Sequence, residues 1–252
     1  MRKASAKLLL LLIFGFSTAL AADGLSDVRA TLQNLATDRP LSARVEIKTH
    51  RSGGESDKQK QSEGVSAVIV HTGAEGLDLS WTPEQIKQSR EAAWEKTAHP
   101  DASKSSLATL TALEADEALD LLDAADPLRR WLEKAVVLED KPDHYQGKPA
   151  RRLLIRLDLK LPEEGRKAMK SSAALLQLWL GADGVPVAAD RDIRIRFSKF
   201  FLSYRVHEHE TREYQNAGGR LIVVRASHDS YGSGLGHSEE SHSTTTVTPL
   251  SD

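Results

Sequence analysis

The segment from His207 to Glu210, which reads His-Glu-His-Glu, holds the side chains best suited to metal chemistry. On a β-strand, residues two apart share a face, so the imidazoles of His207 and His209 would lie about 7 Å apart. Such a pair could bind zinc or copper if a neighbouring strand supplied a third ligand, for which His228 is the candidate. The alternative is a solvated edge strand whose polar residues on both faces prevent sheet-to-sheet pairing.

No other cluster matches a catalytic or cofactor motif. The sequence contains no Gly-x-Ser-x-Gly, no Ser-x-x-Lys with its partner motifs and no His-Glu-x-x-His. The run Gly232-x-Gly234-x-Gly236 neither leads from a strand into a helix nor precedes a suitable acidic residue, which predicts loose chain rather than a dinucleotide site. The tail containing His237 and His242 predicts adventitious metal binding at most. We therefore expect a protein that is not an enzyme and has no cofactor.

Cysteine and charge exclude several further classes. The chain contains 0 cysteines, which excludes disulfides, cysteine-bound zinc, iron–sulfur clusters, thiol catalysis and a lipid-modified cysteine. The full chain has a formal net charge of −2, and all of its acidic residues lie beyond position 22. Since Arg2, Lys3 and Lys7 precede that position, the remainder is more acidic still. This acidity indicates that nucleic acid is not a partner.

The first 22 residues have the three parts of a secretory signal peptide. Basic residues precede the apolar run Leu8 to Phe16, and small residues follow from Ser17 to Ala22. This pattern predicts export to the periplasm with cleavage near Ala21 or Ala22. No later apolar run approaches the roughly 18–20 residues of a membrane-spanning helix, so we expect no transmembrane segment in the mature chain.

Three tryptophans and one charged loop have both a structural and a functional interpretation. Trp94, Trp131 and Trp179 each fall on an apolar stripe, which predicts core packing, with the lining of a ligand groove as the alternative. The segment Arg51 to Glu63 is rich in charge. It predicts a solvated hairpin tip, with a docking loop for another envelope protein as the alternative.

Periodicity predicts the elements that would position these groups. Period-two alternation predicts antiparallel strands, and 3.6-residue spacing with capping boxes at Thr82 and Thr111 predicts helices. Apolar residues are odd-numbered from Ile193 to Phe197 and even-numbered from Leu202 to Val206, which requires a bulge or turn near Ser198 to Phe201. The main predicted elements are a helix over 25–35, strands over 43–47, 65–70, 77–81, 153–161, 176–180 and 221–224, and helices over 82–98, 111–125, 128–135 and 163–169.

These elements predict an α+β fold in which helices cover the apolar face of an antiparallel, strongly curved sheet, an open half-barrel. We expect residues 23–232 to form a single domain. Residues 233–252 are expected to be a flexible tail in which Thr244 to Thr248 could add an edge strand.

Four local phrases, spread over most of the chain, carry a family resemblance. They are the helix Val28 to Leu35 before Ala43-Arg44-Val45, Asp126-Pro127-Leu128, Gly147-Lys148-Pro149 before Leu153 to Leu157, and Leu178-Trp179-Leu180 before Gly184-Val185-Pro186. In this order they resemble the outer-membrane lipoprotein-sorting family, the periplasmic lipoprotein carriers. The resemblance implies an unclosed barrel with a helical lid that carries lipid or lipoprotein acyl chains without catalysis.

Three functions follow as hypotheses. The first is an exported binding or carrier protein that holds an apolar ligand, a lipid or acyl chain, between the curved sheet and the helical lid. The second is an envelope assembly or interaction module without a ligand groove, whose partners are envelope proteins. The third is a metal-dependent periplasmic enzyme that uses His207 and His209.

Overall fold

The computed structural model describes residues 24–37, 39–55, 60–99, 113–159, 161–199 and 202–250. The predicted signal peptide and the second predicted capping residue, Thr111, lie outside these ranges. The helices are α1 (Gly24–Asn34), α2 (Pro83–Ala98), α3 (Ala115–Leu122), α4 (Ala125–Leu132) and α5 (Glu163–Ala168). The strands are β1 (Leu41–Glu55), β2 (Lys60–Gly73), β3 (Gly76–Ser80), β4 (Val136–Tyr145), β5 (Lys148–Arg156), β6 (Met169–Leu180), β7 (Pro186–Lys199), β8 (Leu202–Ala217), β9 (Arg220–Gly234) and β10 (His237–Pro249).

The strands form one antiparallel sheet in the order β3-β2-β1-β10-β9-β8-β7-β6-β5-β4, which confirms the predicted α+β open half-barrel. The prediction for the tail is wrong. β10 pairs with β1 from Ala43↔Pro249 to Glu55↔His237, and it also pairs with β9, so it is an interior strand. Threonine has high strand propensity and fits this position, but local sequence does not indicate which strands it will pair with.

Alternation of burial divides the sheet into two faces. In β1, Ala43, Val45 and Ile47 are buried while Arg44 and Lys48 are exposed. Their register partners continue the same pattern across the sheet, because directly opposed residues share a face. We call the side that packs on the helices the concave face and the other side the outer face.

Three helices cover part of the concave face. α1 packs on α4, and α3 contacts β2 and β3 as well as β9. On a flat sheet β2 and β9, three positions apart, would lie about 14 Å from each other. One helix is about 10 Å wide, so contact with both strands fits a curved sheet. The Ala124 N–H also donates to the Leu221 carbonyl of β9 (2.8 Å), which joins the helices to the sheet.

The boundaries confirm some predictions and correct others. The Thr82 capping box is present, with Gln85 N–H donating to Thr82 Oγ1 (3.3 Å) and Thr82 N–H donating to Gln85 Oε1 (2.9 Å). β7 ends at Lys199 and β8 begins at Leu202, which confirms the predicted turn.

Four expectations about individual segments are wrong. In place of one helix over 111–125, the described part of this segment contains two helices, α3 from Ala115 to Leu122 and α4 from Ala125 onward. β5 ends at Arg156 instead of continuing to Leu161, although the Leu157 N–H one residue beyond it still donates to the Ala174 carbonyl of β6 (2.9 Å). Most of Arg51 to Glu63 is strand, and only residues 56–59 lie between β1 and β2. Trp94 is 79% exposed on α2 rather than in the core.

In the part of the chain that the structure describes, no helix combines the length and the apolar character needed to cross a membrane.

Replacing Val247 with aspartate tests the interior position of β10. Val247 is 3% exposed and lies opposite Val45. A carboxylate there would be buried without a partner, so we expect Val247→Asp to lower the free energy of unfolding by about 3 kcal/mol or more. Thr248→Asp, on the outer face opposite Arg44, should change it by no more than about 0.5 kcal/mol. Urea unfolding measures both, and equal effects would contradict the assigned position.

Candidate functional site

The concave face is divided by a row of polar residues that crosses five strands. Direct register places Arg191, Glu210, His228, Ser243 and Thr49 side by side. On the helix side of this row, the concave-face residues are mostly aliphatic and buried. The row therefore marks the edge of the helix-covered core.

Glu210 is the buried charged residue of this row. Its carboxylate is 9% exposed and lies between two arginines, with Arg191 Nη2 at 2.6 Å from Oε2 and Arg212 Nη2 at 2.6 Å from Oε1. Arg212 Nε also donates to Oε1 (2.6 Å). Two cations around one carboxylate offset the cost of burying all three groups and leave one net positive charge.

Trp131 connects this cluster to α4. The guanidinium of Arg191 lies 4.5 Å from the indole centroid and that of Arg212 lies 5.0 Å from it. Both distances are typical of cation–π contacts. Trp131 is only partly buried and packs against the core. It therefore has the predicted packing role and, in addition, an electrostatic contact with the two arginines.

Tyr214 lies behind the cluster and is 7% exposed. Its hydroxyl has no hydrogen-bond partner among the described residues, and burial raises its pKa. This hydroxyl stays neutral and protonated.

A polar space of about 260 Å³ separates α3 from the cluster. Acidic residues of α3 and its start face Arg191 and Arg212 across it. Burial raises the pKa of one of them, Glu117. Charged groups of opposite sign therefore line the two sides of this space, which is not an apolar groove.

Beyond the polar row, the concave face forms a second, open half. Ile195 of β7 lies opposite Val206 of β8, and Phe197 lies opposite Tyr204. A depression of about 430 Å³ adjoins this strip, lined in part by Tyr204 and by glycines of β1 and β9. We call this region the open trough; its members are Ile195, Phe197, Tyr204, Val206, Gly232 and Gly234.

The glycines of β9 have a specific role in the open trough. A Cβ at Gly232 would lie 2.6 Å from the Tyr204 hydroxyl oxygen, and one at Gly234 would lie 2.6 Å from Tyr204 Cδ2. Only glycine therefore lets the ring lie across β9. The prediction of loose chain for this run is wrong at Gly232 and Gly234. The sequence feature that could have indicated this role is the spacing of two residues between the glycines, which puts both on one face of a strand.

His207 and His209 lie on the outer face, away from the trough. His207 Nε2 is 2.8 Å from Asp192 Oδ2, and His209 Nε2 is 3.1 Å from Asp190 Oδ1. Although burial raises the pKa of Asp192, its hydrogen bonds with His207 and Arg194 outweigh that effect and hold it below the ordinary value. Both histidines thus have carboxylate partners on β7.

The proposed third metal ligand, His228, lies on the concave face, because its register partner is Glu210. The sheet therefore separates His228 from His207 and His209. Within the described ranges, no three metal-ligating side chains come together.

The third tryptophan, Trp179, also lies on the outer face and not in the core. Its Nε1 donates to Asp143 Oδ2 (3.2 Å), and its ring centroid is 5.6 Å from that of Tyr145. The buried leucines of β6 are Leu176, Leu178 and Leu180, so period-two spacing places Trp179 on the opposite, outer face.

Comparisons with known proteins found little. No family model matches the chain, and no curated protein matches it. A solved structure of a DUF1329 family protein from Desulfovibrio piger is similar over 89% of this chain and 90% of its own, with 9% sequence identity and a TM-score of 0.25. A TM-score this low carries no argument about fold or function.

The Glu210 cluster predicts a large cost for a neutral substitution. Glu210→Gln keeps the shape but leaves two mostly buried guanidiniums without their anion, so we expect the free energy of unfolding to fall by about 2–4 kcal/mol. Glu208→Gln, two residues away on the same face of β8, should cost no more than about 0.5 kcal/mol. Urea unfolding at neutral pH makes the comparison. A Glu210→Gln protein as stable as the control would contradict the assigned role.

The ion pair between Asp140 and Arg151 should contribute stability at neutral pH that is lost at acid pH. Hydrogen bonds from Arg151, which lies beside the start of α1, hold the pKa of Asp140 below its ordinary value of 3.8. The Asp140 carboxylate therefore takes up a proton more readily in the unfolded chain than in the folded one. The stabilisation exists at neutral pH and is lost as the pH falls below 3.8.

Asp140→Asn should therefore lower the free energy of unfolding at neutral pH by at most about 1 kcal/mol, because the pair is about one-third exposed. The difference from the wild type should shrink to zero as the pH falls through the lowered pKa. Asp158→Asn, at an exposed position, is the control. A pH-independent effect of Asp140→Asn would show that the ion pair is not its cause.

Proposed function

We propose that this protein is an exported, non-enzymatic binding or carrier protein that holds an apolar ligand, such as a lipid or an acyl chain, against the concave face of its curved sheet. The observation that carries the proposal is the open trough beside the helical lid. Part of the concave face is filled by core side chains, whereas the trough leaves apolar surface and glycine backbone accessible.

The chemistry of the trough suits an elongated apolar group. Ile195, Phe197 and Val206 supply half-buried apolar side chains, and the glycines of β9 let a ligand approach the backbone closely. Tyr204 is 47% exposed and adds one aromatic face. Each methylene buried there would contribute about 0.8 kcal/mol, so a chain of several carbons could bind without any specific polar contact.

The rim of the trough supplies polar groups for the other end of an amphipathic ligand. Arg51, His237 and Glu239 line the same depression. Their mixed charge would accept a headgroup that carries both a positive and a negative group. Carriage of a lipid or lipoprotein acyl chain, as the family resemblance implies, fits this arrangement.

Export is the second part of the proposal. It is supported by the sequence of residues 1–22, which has the basic, apolar and small-residue parts of a secretory signal peptide. A periplasmic carrier would diffuse freely between the membranes and their lipids.

Native mass spectrometry of protein purified from its own periplasm tests both parts. A mature N-terminus near residue 22 supports export, and a co-purifying lipid supports the carrier. Stoichiometric metal would instead favour an enzyme that uses His207 and His209. A bare chain that also fails to bind added lipid would favour an interaction module.

Tyr204 and Tyr231 make a matched pair of variants for the trough. Tyr204 lies on the concave face and is 47% exposed, whereas Tyr231 lies on the outer face and is 43% exposed. We expect Tyr204→Ala to weaken binding of the neutral probe N-phenyl-1-naphthylamine about 5- to 30-fold, since about 1–2 kcal/mol of ring contact is lost.

Tyr231→Ala should bind the probe like the wild type. Fluorescence titration measures all three proteins, and equal losses in both variants would place the apolar site elsewhere. No binding by the wild type would remove the support for a ligand trough.

A further inference from the structure

We infer that the outer face of β6 to β9 contains a binding site for a phosphate group, centred on Arg196 and Arg205. The site lies on the opposite side of the sheet from the open trough and does not depend on the function proposed for it. Its ligand class is the phosphate oxyanion, either free or as part of a lipid headgroup.

The first argument is the register of the two arginines. Arg196 of β7 lies directly opposite Arg205 of β8, so their Cβ atoms are about 5 Å apart on one face. Like charges in this arrangement destabilise a sheet. Among the described residues, neither guanidinium has a hydrogen bond or an ion pair with a carboxylate. The neighbouring Arg194, by contrast, bonds to Asp192.

The second argument is the row of residues on either side of the pair. Ser171 of β6 is opposite Arg196, and Ser233 of β9 is opposite Arg205. Ser238 of β10 continues the row beyond Ser233. Every side chain of this row carries hydrogen-bond donors and none is an anion. An oxyanion with several acceptor lone pairs is the complementary ligand.

The third argument is space. A depression of about 540 Å³ adjoins the pair, and Ser171, Ala173, His207 and Tyr231 belong to its lining. The lining also includes Ile195 and Val206, which lie between the outer-face residues of β7 and β8. Small side chains on β6 leave the guanidiniums accessible from above. Each guanidinium can donate two parallel hydrogen bonds to phosphate oxygens, a geometry that lysine cannot provide.

Replacement of both arginines tests the site. For the wild type, we expect inorganic phosphate to raise the melting temperature and to bind saturably in calorimetry. In Arg196→Gln/Arg205→Gln, phosphate binding should be at least about 10-fold weaker, because charge-assisted hydrogen bonds are lost. Without phosphate this variant should melt no lower than the wild type, since the opposed charges are gone. A second variant, Arg196→Lys/Arg205→Lys, keeps the charge and should recover only part of the binding.

The matched control is Lys48→Gln/Arg225→Gln, which removes two exposed cations from the same face outside the depression. It should bind phosphate like the wild type. Co-sedimentation with phosphatidylcholine vesicles, with and without phosphatidylglycerol, distinguishes a lipid headgroup from free phosphate. Binding in either arm supports the site if the Arg196/Arg205 variant loses it and the control keeps it. Absence of binding in both arms, or equal binding by the variant and the control, would overturn the inference.

Discussion

The pairing of the last strand with the first is the interaction on which the rest of the structure depends. β1 to β3 form one meander and β4 to β9 form another, and β10 joins them by hydrogen bonding to β1 and β9. Neither meander alone could enclose α3, which contacts strands of both. The leucine-rich core beneath the lid therefore exists only after residues about 190 positions apart in sequence have met. Such pairing is entropically costly and is stabilised by the apolar area that it encloses.

The curvature that follows from this closure gives the two faces different chemistry. On the concave face, the helices cover one end of the strands, and Glu210 with its two arginines marks where the cover stops. Trp131 connects that boundary to the lid. The open trough lies beyond the boundary, so the same polar cluster that completes the core also forms an edge of the proposed ligand site. The outer face instead carries cross-strand pairs of opposite charge, interrupted at Arg196 and Arg205.

Much of the fold could be predicted because its signals are local. The Thr82 capping box depends on four consecutive residues. The turn after β7 follows from a change of phase between Ile195 and Tyr204. Predictions failed where a distant partner decided the outcome. Trp94, for example, lies on a helix whose apolar content does not specify what it packs against. The arginines around Glu210 were missed because Arg191 and Arg212 are 21 positions apart and become neighbours only through the β7–β8 pairing.

The sequence by itself determined most of the strands and helices and the alternation that makes one face apolar, because these are set by side chains within a few residues of each other. It also excluded thiol chemistry, because it contains no cysteine. Only the tertiary structure decided that the threonine-rich tail is an interior strand and that His228 lies on the opposite face of the sheet from His207 and His209. It also decided that Gly232 and Gly234 of β9 leave room for the Tyr204 ring in the open trough. These features depend on strand order and register, which are set by the burial of the whole apolar face and not by any one segment.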